Sequence, residues 1–313
     1  MLAPQLRLGL LKLSRTEKAK DVAIRGLRAL AGFVGQMKVT FNDIEVGLDY
    51  EPEPGLADNG DLEGDLTMLL EQVGKAALAG ETLVAIFIDE LQYVPEKQMA
   101  ALISALHRCA QLQLPLVVAG AGLPQLRGRM SEAKSYAERL FDFPAIGPLD
   151  AADAADAIVK PAHDEGVDFD EDAVTLIVTY TKGYPYFLQE WGKHAWDVAA
   201  VSPITRLDVE TASRQAIATL DESFFRVRFD RLTPAERRYL RAMAELGSGP
   251  HRSGDIAAKL GRESSSLGPV RSNLIAKGMI WSPTHGDTAF TVPLFDEFMK
   301  RIMPGEAWMQ ADA

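Results

Sequence analysis

Two spacings of apolar residues alternate along this chain. Val22, Leu27, Leu30 and Val34 return every three to five positions and predict a helix over 17–36; residues 2–13 read the same way. "MKVTFNDIEVGL" then changes to alternation, with Val39, Phe41, Ile44 and Val46 separated by polar positions, which predicts a strand. "DYEPEPGLADNG" has no period and two prolines, so it reads as a loop, and Asp61 is placed to cap a helix running to about Leu78. Next come six apolar residues without interruption, Leu83–Ile88, too short and too evenly apolar for a surface helix. A helix from about Lys97 to Leu112 follows, then a second apolar strand, Leu116–Ala119, which leaves through "GAGLP". A short helix at Tyr136–Leu140 leads to "FDFPAIGPL", a last strand candidate. Short all-apolar strands separated by helices predict a parallel sheet covered on both faces, an α/β core.

Beyond Asp150 the period is helical throughout, over 150–164, 170–182, 185–200 and 205–220, with turns at "DEGVD", "KGYP" and "VSPIT". Tyr184, Phe187, Leu188 and Trp191 fall on one helical face, which reads as core. Near Phe229 the pattern restarts. Thr233 caps a helix with Pro234 in its first position and Glu236 closing a capping box. Helices follow near Ser253–Leu260 and Ser265–Lys277, and "GMIWSPTHGDTAFTV" predicts two strands about His285-Gly286-Asp287. Three helices and a hairpin are the winged-helix plan. The expected domains are therefore a core over 1–148, an all-α segment over 149–221, a winged helix over 222–303 and a tail over 304–313.

Composition narrows the setting. With 313 residues, 47% hydrophobic and 25% charged, the chain can build more than one core. No apolar run is long enough to cross a bilayer, and the first residues do not resemble a secretory leader. A single cysteine, Cys109, excludes an internal disulfide, so a cytoplasmic location is the expectation. The net charge of −11 argues against a surface that attracts nucleic acid everywhere. It is uneven, however: Asp230 to Arg301 carries 11 Lys/Arg against 8 Asp/Glu, net +3, which leaves −14 elsewhere.

The chemistry concentrates where the first apolar strand ends, at Asp89-Glu90. Open α/β sheets bind ligands at the carboxyl ends of their strands. There Asp89 would hold magnesium through a water while Glu90 orients an attacking water; a solvated strand end is the plain alternative. Such a site needs a phosphate loop, and no Gly-x4-Gly-Lys-Ser/Thr occurs in the sequence. "AGAGLPQL" is not a dinucleotide fingerprint, because Gln125 stands at the third glycine position; Gly120 and Gly122 could still line the site. Arg139, before the last strand candidate, is placed to reach a neighbouring subunit's phosphate or else to pair with a surface acid. Arg252, Lys259, Arg262, Arg271 and Lys277 are candidates for DNA phosphates, although Asp255 and Glu263 are interspersed. His107 and Cys109 do not face each other on a helix, and no metal cluster or nucleophile elbow is evident.

"LVAIFIDELQYV" resembles a Walker B motif, "LPLVVAGAGLPQL" a sensor-1 strand with its exit, and "TKGYPYFLQEWG" a lid-helix signature. With the C-terminal winged helix, their order resembles AAA+/STAND-type ATP-binding proteins of the archaeal-ATPase and Orc1/Cdc6-like group, over nearly the whole chain. The resemblance implies a parallel αβα P-loop NTPase-like core, a helical lid and a winged helix. It implies ATP and Mg2+ as ligands, Asp89 and Glu90 as the Walker B acids, and Tyr184 and Pro185 near the nucleotide. It further implies a nucleotide-dependent switch that acts on DNA or a protein client, with a homo-oligomer as an option. The sequence departs from the family in three places: the Walker A loop is missing, the sensor-1 position around Gly120 lacks the usual polar Asn or Thr, and no sensor-2 arginine is evident beside Gly183-Tyr184-Pro185. An N-terminally truncated ATPase is thus the leading expectation. A non-catalytic winged-helix regulator on a degenerate ATPase scaffold is the alternative.

Overall fold

The structure, a computed structural model, describes residues 2–40, 50–284 and 286–309. They form two compact units, 1–144 and 145–313. The first opens with α1 (Leu2–Leu13) and α2 (Lys20–Thr40). The strand expected to start at Val39 meets helical backbone through Thr40, and the rest of its span, 41–49, lies outside the described residues. Asp61 caps α3 (Leu62–Ala79), accepting from the Gly64 N–H. Asp65, fully buried in the first turns of α3, accepts from the backbone N–H groups of Asn59 and Gly60 and from the Asn59 amide. A buried carboxylate is tolerated only when hydrogen-bonded in this way, and these bonds pin the loop that enters the helix.

β1 (Val84–Ile88), α4 (Glu96–Gln111) and β2 (Leu116–Gly120) follow, the two strands pairing in parallel with Val84 opposite Leu116 and Ile88 opposite Gly120. Ile86 lies in a core with Leu66, Leu69 and Leu70 of α3 and with Met99, Ile103 and Leu106 of α4; Val84, Ile88, Leu116 and Val118 pack against it. Among the described residues nothing covers the opposite face: Leu83 is 55%, Phe87 81% and Val117 53% exposed. Among the described residues the sheet expected to be covered on both faces has two strands and is covered on one. Among the described residues neither outer edge is paired. "FDFPAIGPL", expected as a further strand, forms no strand. An extended segment becomes a strand only by pairing, and Pro144 removes one of its donors. Two helices, α5 (Leu126–Ala133) and α6 (Ala137–Leu140), precede it.

The second unit begins with α7 (Ala151–Asp164), capped by Asp150, whose carboxylate accepts from the N–H groups of Ala152 and Asp153. Pro161 deprives the Ala157 carbonyl of its helical partner, and the Gln189 side-chain amide donates to it instead, at 3.2 Å. The chain turns from α8 (Glu171–Thr181) into α9 (Pro185–Val198) at Gly183, which has φ +70 and whose absent Cβ would stand 2.3 Å from the Leu149 carbonyl oxygen. Only glycine fits there, and the Leu149 N–H donates back to the Gly183 carbonyl at 2.9 Å. Phe187, Leu188 and Trp191 bury the face of α9 read as core from sequence, with Tyr184 partly buried beside them.

α10 (Arg206–Thr219) continues through a π-helical turn at Leu220–Phe225 into α11 (Arg226–Phe229). α12 (Pro234–Leu246) starts with the capping box expected of Thr233 and Glu236. β3 (His251–Arg252), α13 (Ser253–Lys259), α14 (Gly268–Ala276), β4 (Ile280–Trp281), β5 (Asp287–Phe290) and α15 (Phe295–Ile302) complete the unit, with antiparallel sheet order β3-β5-β4. The helices before and after residue 221, expected as separate domains, share one core. Phe225 sits between them, its ring centroid 5.8 Å from Phe187 and 5.3 Å from Phe298.

Candidate functional site

Asp89 and Glu90 leave the carboxyl end of β1 and are both exposed. Glu90 takes a left-handed backbone, φ 55 and ψ 38, unusual for a residue with a side chain. Hydrogen bonds on either side hold it there. The Glu90 N–H donates to Asp89 Oδ1 at 2.8 Å, and the Tyr93 N–H donates to the Glu90 carbonyl at 3.0 Å. The next residue, Leu91, donates its N–H to the Ala121 carbonyl at 3.0 Å, while the Ala121 N–H donates to the Ile88 carbonyl at 2.9 Å. The exits of β1 and β2 are thus stitched together directly behind the two acids.

This stitching explains both glycines of "AGAG". A Cβ on Gly120 would stand 2.2 Å from Leu91 Cδ1; one on Gly122 would stand 2.8 Å from both Gln92 Oε1 and Leu126 Cδ2. Their missing side chains make room for the single turn Leu91–Tyr93, and packing alone accounts for them. Sequence reasoning missed the residue that joins these parts. Gln92 is 1% exposed; its Nε2 donates to Glu90 Oε2 and its Oε1 accepts from the Leu123 N–H at 3.1 Å. The only signal was a polar residue just after the acids, and a surface glutamine would look the same.

The donor chemistry fits a hard divalent cation. Two adjacent carboxylates offer oxygen ligands, and Asp89 keeps one oxygen outside its backbone hydrogen bond. Among the described residues no group of three or more His, Cys, Asp or Glu is arranged to hold a metal. One or two carboxylates without a cage suit magnesium, which keeps several waters and takes other oxygens from phosphate. A triphosphate is another matter. The sequence has no Gly-x4-Gly-Lys-Ser/Thr, so these residues supply no phosphate cradle.

The remaining candidates separate in space and in role. Arg139 is exposed on α6 and makes no ion pair among the described residues. Tyr184 and Pro185 belong to the second unit, where Tyr184 is half-buried with its ring 4.7 Å from Phe187 and Pro185 is exposed. Cys109 is buried, which raises its thiol pKa to about 11 and leaves it unreactive.

Of the basic residues in the C-terminal region, Arg252 and Arg262 are exposed, Arg252 with Asp287 3.7 Å away. Arg271 is tied inward, donating to Thr288 Oγ1 at 3.0 Å, to Ser282 Oγ at 2.9 Å and to the Asp287 carbonyl at 3.0 Å. Lys277 donates to Glu236 Oε2 at 2.7 Å and to the Arg231 carbonyl at 2.9 Å. Burial alone would raise the Glu236 carboxyl pKa. The Lys277 hydrogen bond and those from Thr233 outweigh it and hold the pKa below the ordinary range. Arg271 and Lys277, two of the candidates for nucleic acid, thus already hold the module together, which sequence spacing could not reveal.

A family model described as a domain of unknown function (DUF8462) matches residues 222–299. The chain is 24% identical over 237 residues to an uncharacterized HTH-type transcriptional regulator of Methanocaldococcus jannaschii, covering 73% of this chain and 56% of that protein. It therefore spans little more than half the length of this curated relative. Among solved structures, the Walker-type ATPase of Pyrococcus abyssi matches with a TM-score of 0.57 and 15% identity, over 88% of this chain and 78% of that one. The Thermotoga maritima RuvB Holliday junction branch migration motor gives a TM-score of 0.39 at 17% identity, covering 72% and 80% of the two chains, too low to establish a shared fold. The chain shares its overall fold with that Pyrococcus abyssi protein. Among the described residues no helix is long and apolar enough to cross a membrane.

Proposed function

We propose that this chain carries the metal-and-water half of an ATP-hydrolysing site on an AAA+/STAND-type scaffold, and that it works as a nucleotide-dependent switch. The observation that carries the reading is the pair Asp89-Glu90 at the carboxyl end of β1, held against the exit of β2 in a parallel pair. Asp89 would hold magnesium through a water, and Glu90 would orient the water that attacks the γ-phosphate. The phosphate-holding half would come from polypeptide outside these 313 residues, as a strand and loop added to the unpaired sheet. The face and edges of the sheet that no described residue covers or pairs support that reading, because a parallel sheet is ordinarily covered on both sides. Residues 149–221 would act as the lid and 222–303 as a winged helix that contacts DNA or a protein client.

A second reading, a non-catalytic regulator on a degenerate ATPase scaffold, is favoured by the lack of any Gly-Lys-Ser/Thr loop and by the relative described as an HTH-type transcriptional regulator. One measurement tests the missing half and a second separates the two readings. Calorimetric titration of the chain with Mg·ATP should give no micromolar binding; micromolar affinity would mean that the phosphate half is already present. The genomic sequence upstream of Met1 should contain an in-frame Gly-x4-Gly-Lys-Thr within roughly a hundred residues, the length of a strand, loop and leader segment. Its absence would favour the regulator.

A further inference from the structure

Gln92 is a buried amide with its two ends bound to different things. Its oxygen accepts from a backbone N–H of the loop leaving β2, and its nitrogen donates to the exposed carboxylate of Glu90. The orientation has no workable reverse. Turned over, the amide would set its N–H2 against the Leu123 N–H and its oxygen against the Glu90 carboxylate, two like-to-like contacts for a buried side chain. Leu123 therefore dictates which end of Gln92 meets Glu90. The glycine at 122 permits the arrangement, since a Cβ there would press on Gln92 Oε1 at 2.8 Å.

We infer that Gln92 is the positioning residue of the Glu90 carboxylate and couples it to the loop leaving β2, so that movement of residues 122–124 redirects that carboxylate. The functional sense of the coupling rests on the reading of Asp89 and Glu90 as the metal-and-water half-site. Three links run in parallel between the same two segments: Leu91 N–H to Ala121, Ala121 N–H to Ile88, and Leu123 N–H through Gln92 to Glu90. The first two fix the backbones. Only the third ends on a side chain that can swing, because Glu90 is exposed while Gln92 is not. A phosphate or a neighbouring subunit pressing on the β2 exit would thereby reach Glu90 without touching it.

The test is amide hydrogen exchange on the 313-residue chain without nucleotide or metal, followed at Leu123 with Leu69 of α3 as reference. Gln92→Leu removes the acceptor and should speed Leu123 exchange about tenfold, the factor for one ordinary hydrogen bond. The deciding variant is Glu90→Ala, a change at an exposed side chain. With one end of Gln92 released, Leu123 should exchange about threefold faster or more, with Leu69 unchanged, an effect of about half the hydrogen bond's worth carried through the amide. If Glu90→Ala leaves the Leu123 rate unaltered, Gln92 is only a brace for the loop and the coupling is overturned. Should Gln92→Leu fail to fold, Glu90→Ala still decides. Titration with MgCl2 alone, read at the Asp89 and Glu90 resonances, tests the half-site separately. Its failure would remove the metal and leave the coupling standing.

Discussion

Leu91 occupies the space that a side chain at Gly120 would need, its Cδ1 lying 2.2 Å from the position of that missing Cβ. The contact sets how closely the turn carrying Asp89 and Glu90 approaches the end of β2. Leu91 is almost completely buried, so it has nowhere to retreat. Gly120→Ala should therefore destabilise the first unit by about 1–3 kcal/mol, the usual cost of overpacking. Urea unfolding monitored by circular dichroism measures it, and in a double-mutant cycle Gly120→Ala should cost less when Leu91 is already alanine. An unchanged midpoint for Gly120→Ala would mean that the turn is looser than this contact implies.

Phe225 joins the helices before and after residue 221, with Phe187 on one side and Phe295 and Phe298 on the other. Phe225→Ala should cost about 3–5 kcal/mol, as buried aromatic truncations do. It should lower the midpoints of both halves together. Exchange measured separately over 151–219 and 234–302 checks this; loss of protection in one half alone would show two independent cores.

Lys277 and the buried Glu236 tie the end of α14 to the start of α12. Because the folded Glu236 carboxyl titrates below its ordinary value of 4.5, its contribution is complete above that pH. It is lost as pH falls through 4.5 towards the lower folded value, where the unfolded chain already binds the proton. Lys277→Met should cost about 1–3 kcal/mol at pH 7, less than a fully buried pair because the lysine is partly exposed. Urea midpoints between pH 7 and pH 3 should show the difference from the native chain shrinking on the acid side.

Arg252 and Arg262 are the exposed arginines of the basic set, whereas Arg271 is spent on Thr288, Ser282 and the Asp287 carbonyl. If the C-terminal region binds duplex DNA, Arg252→Ala with Arg262→Ala should weaken binding and lower the salt slope by about 2, one for each phosphate no longer neutralised. Arg271→Ala should instead reduce stability first, by about 1–3 kcal/mol for hydrogen-bond partners left behind. Fluorescence anisotropy across a salt series and thermal unfolding distinguish the two.

Should the chain, joined to a phosphate loop, hydrolyse ATP, Glu90→Gln should abolish turnover and leave nucleotide binding intact, since the amide keeps the shape but cannot take up a proton. Single-turnover phosphate release and calorimetric binding read the two separately. Unchanged turnover would remove Glu90 from the mechanism.

Local features were legible because they are properties of a few adjacent residues. The capping box of Thr233 and Glu236, the cap at Asp61, the buried face of α9 and the two strands at 84–88 and 116–120 follow from spacing and hydrogen-bonding capacity within one or two turns. "FDFPAIGPL" misleads for the opposite reason. Its apolar pattern suits a strand, but a strand exists only against a partner, and no local pattern supplies one. The even hydrophobicity of Leu83–Ile88 likewise predicted two covered faces, and Phe87 lies on the one that no described residue covers.

The sequence by itself determined where the acids stand, at the end of an apolar strand, and that a phosphate loop is missing from these residues. Both depend only on the order of residue types. Tertiary structure decided the rest: that Gly120 and Gly122 make room for Leu91 and Gln92, that Gln92 links Glu90 to Leu123, and that Lys277 and Arg271 are taken up by partners within the module. Each is a contact between segments far apart in the chain, set by how close two backbones come, and single residues do not record that distance.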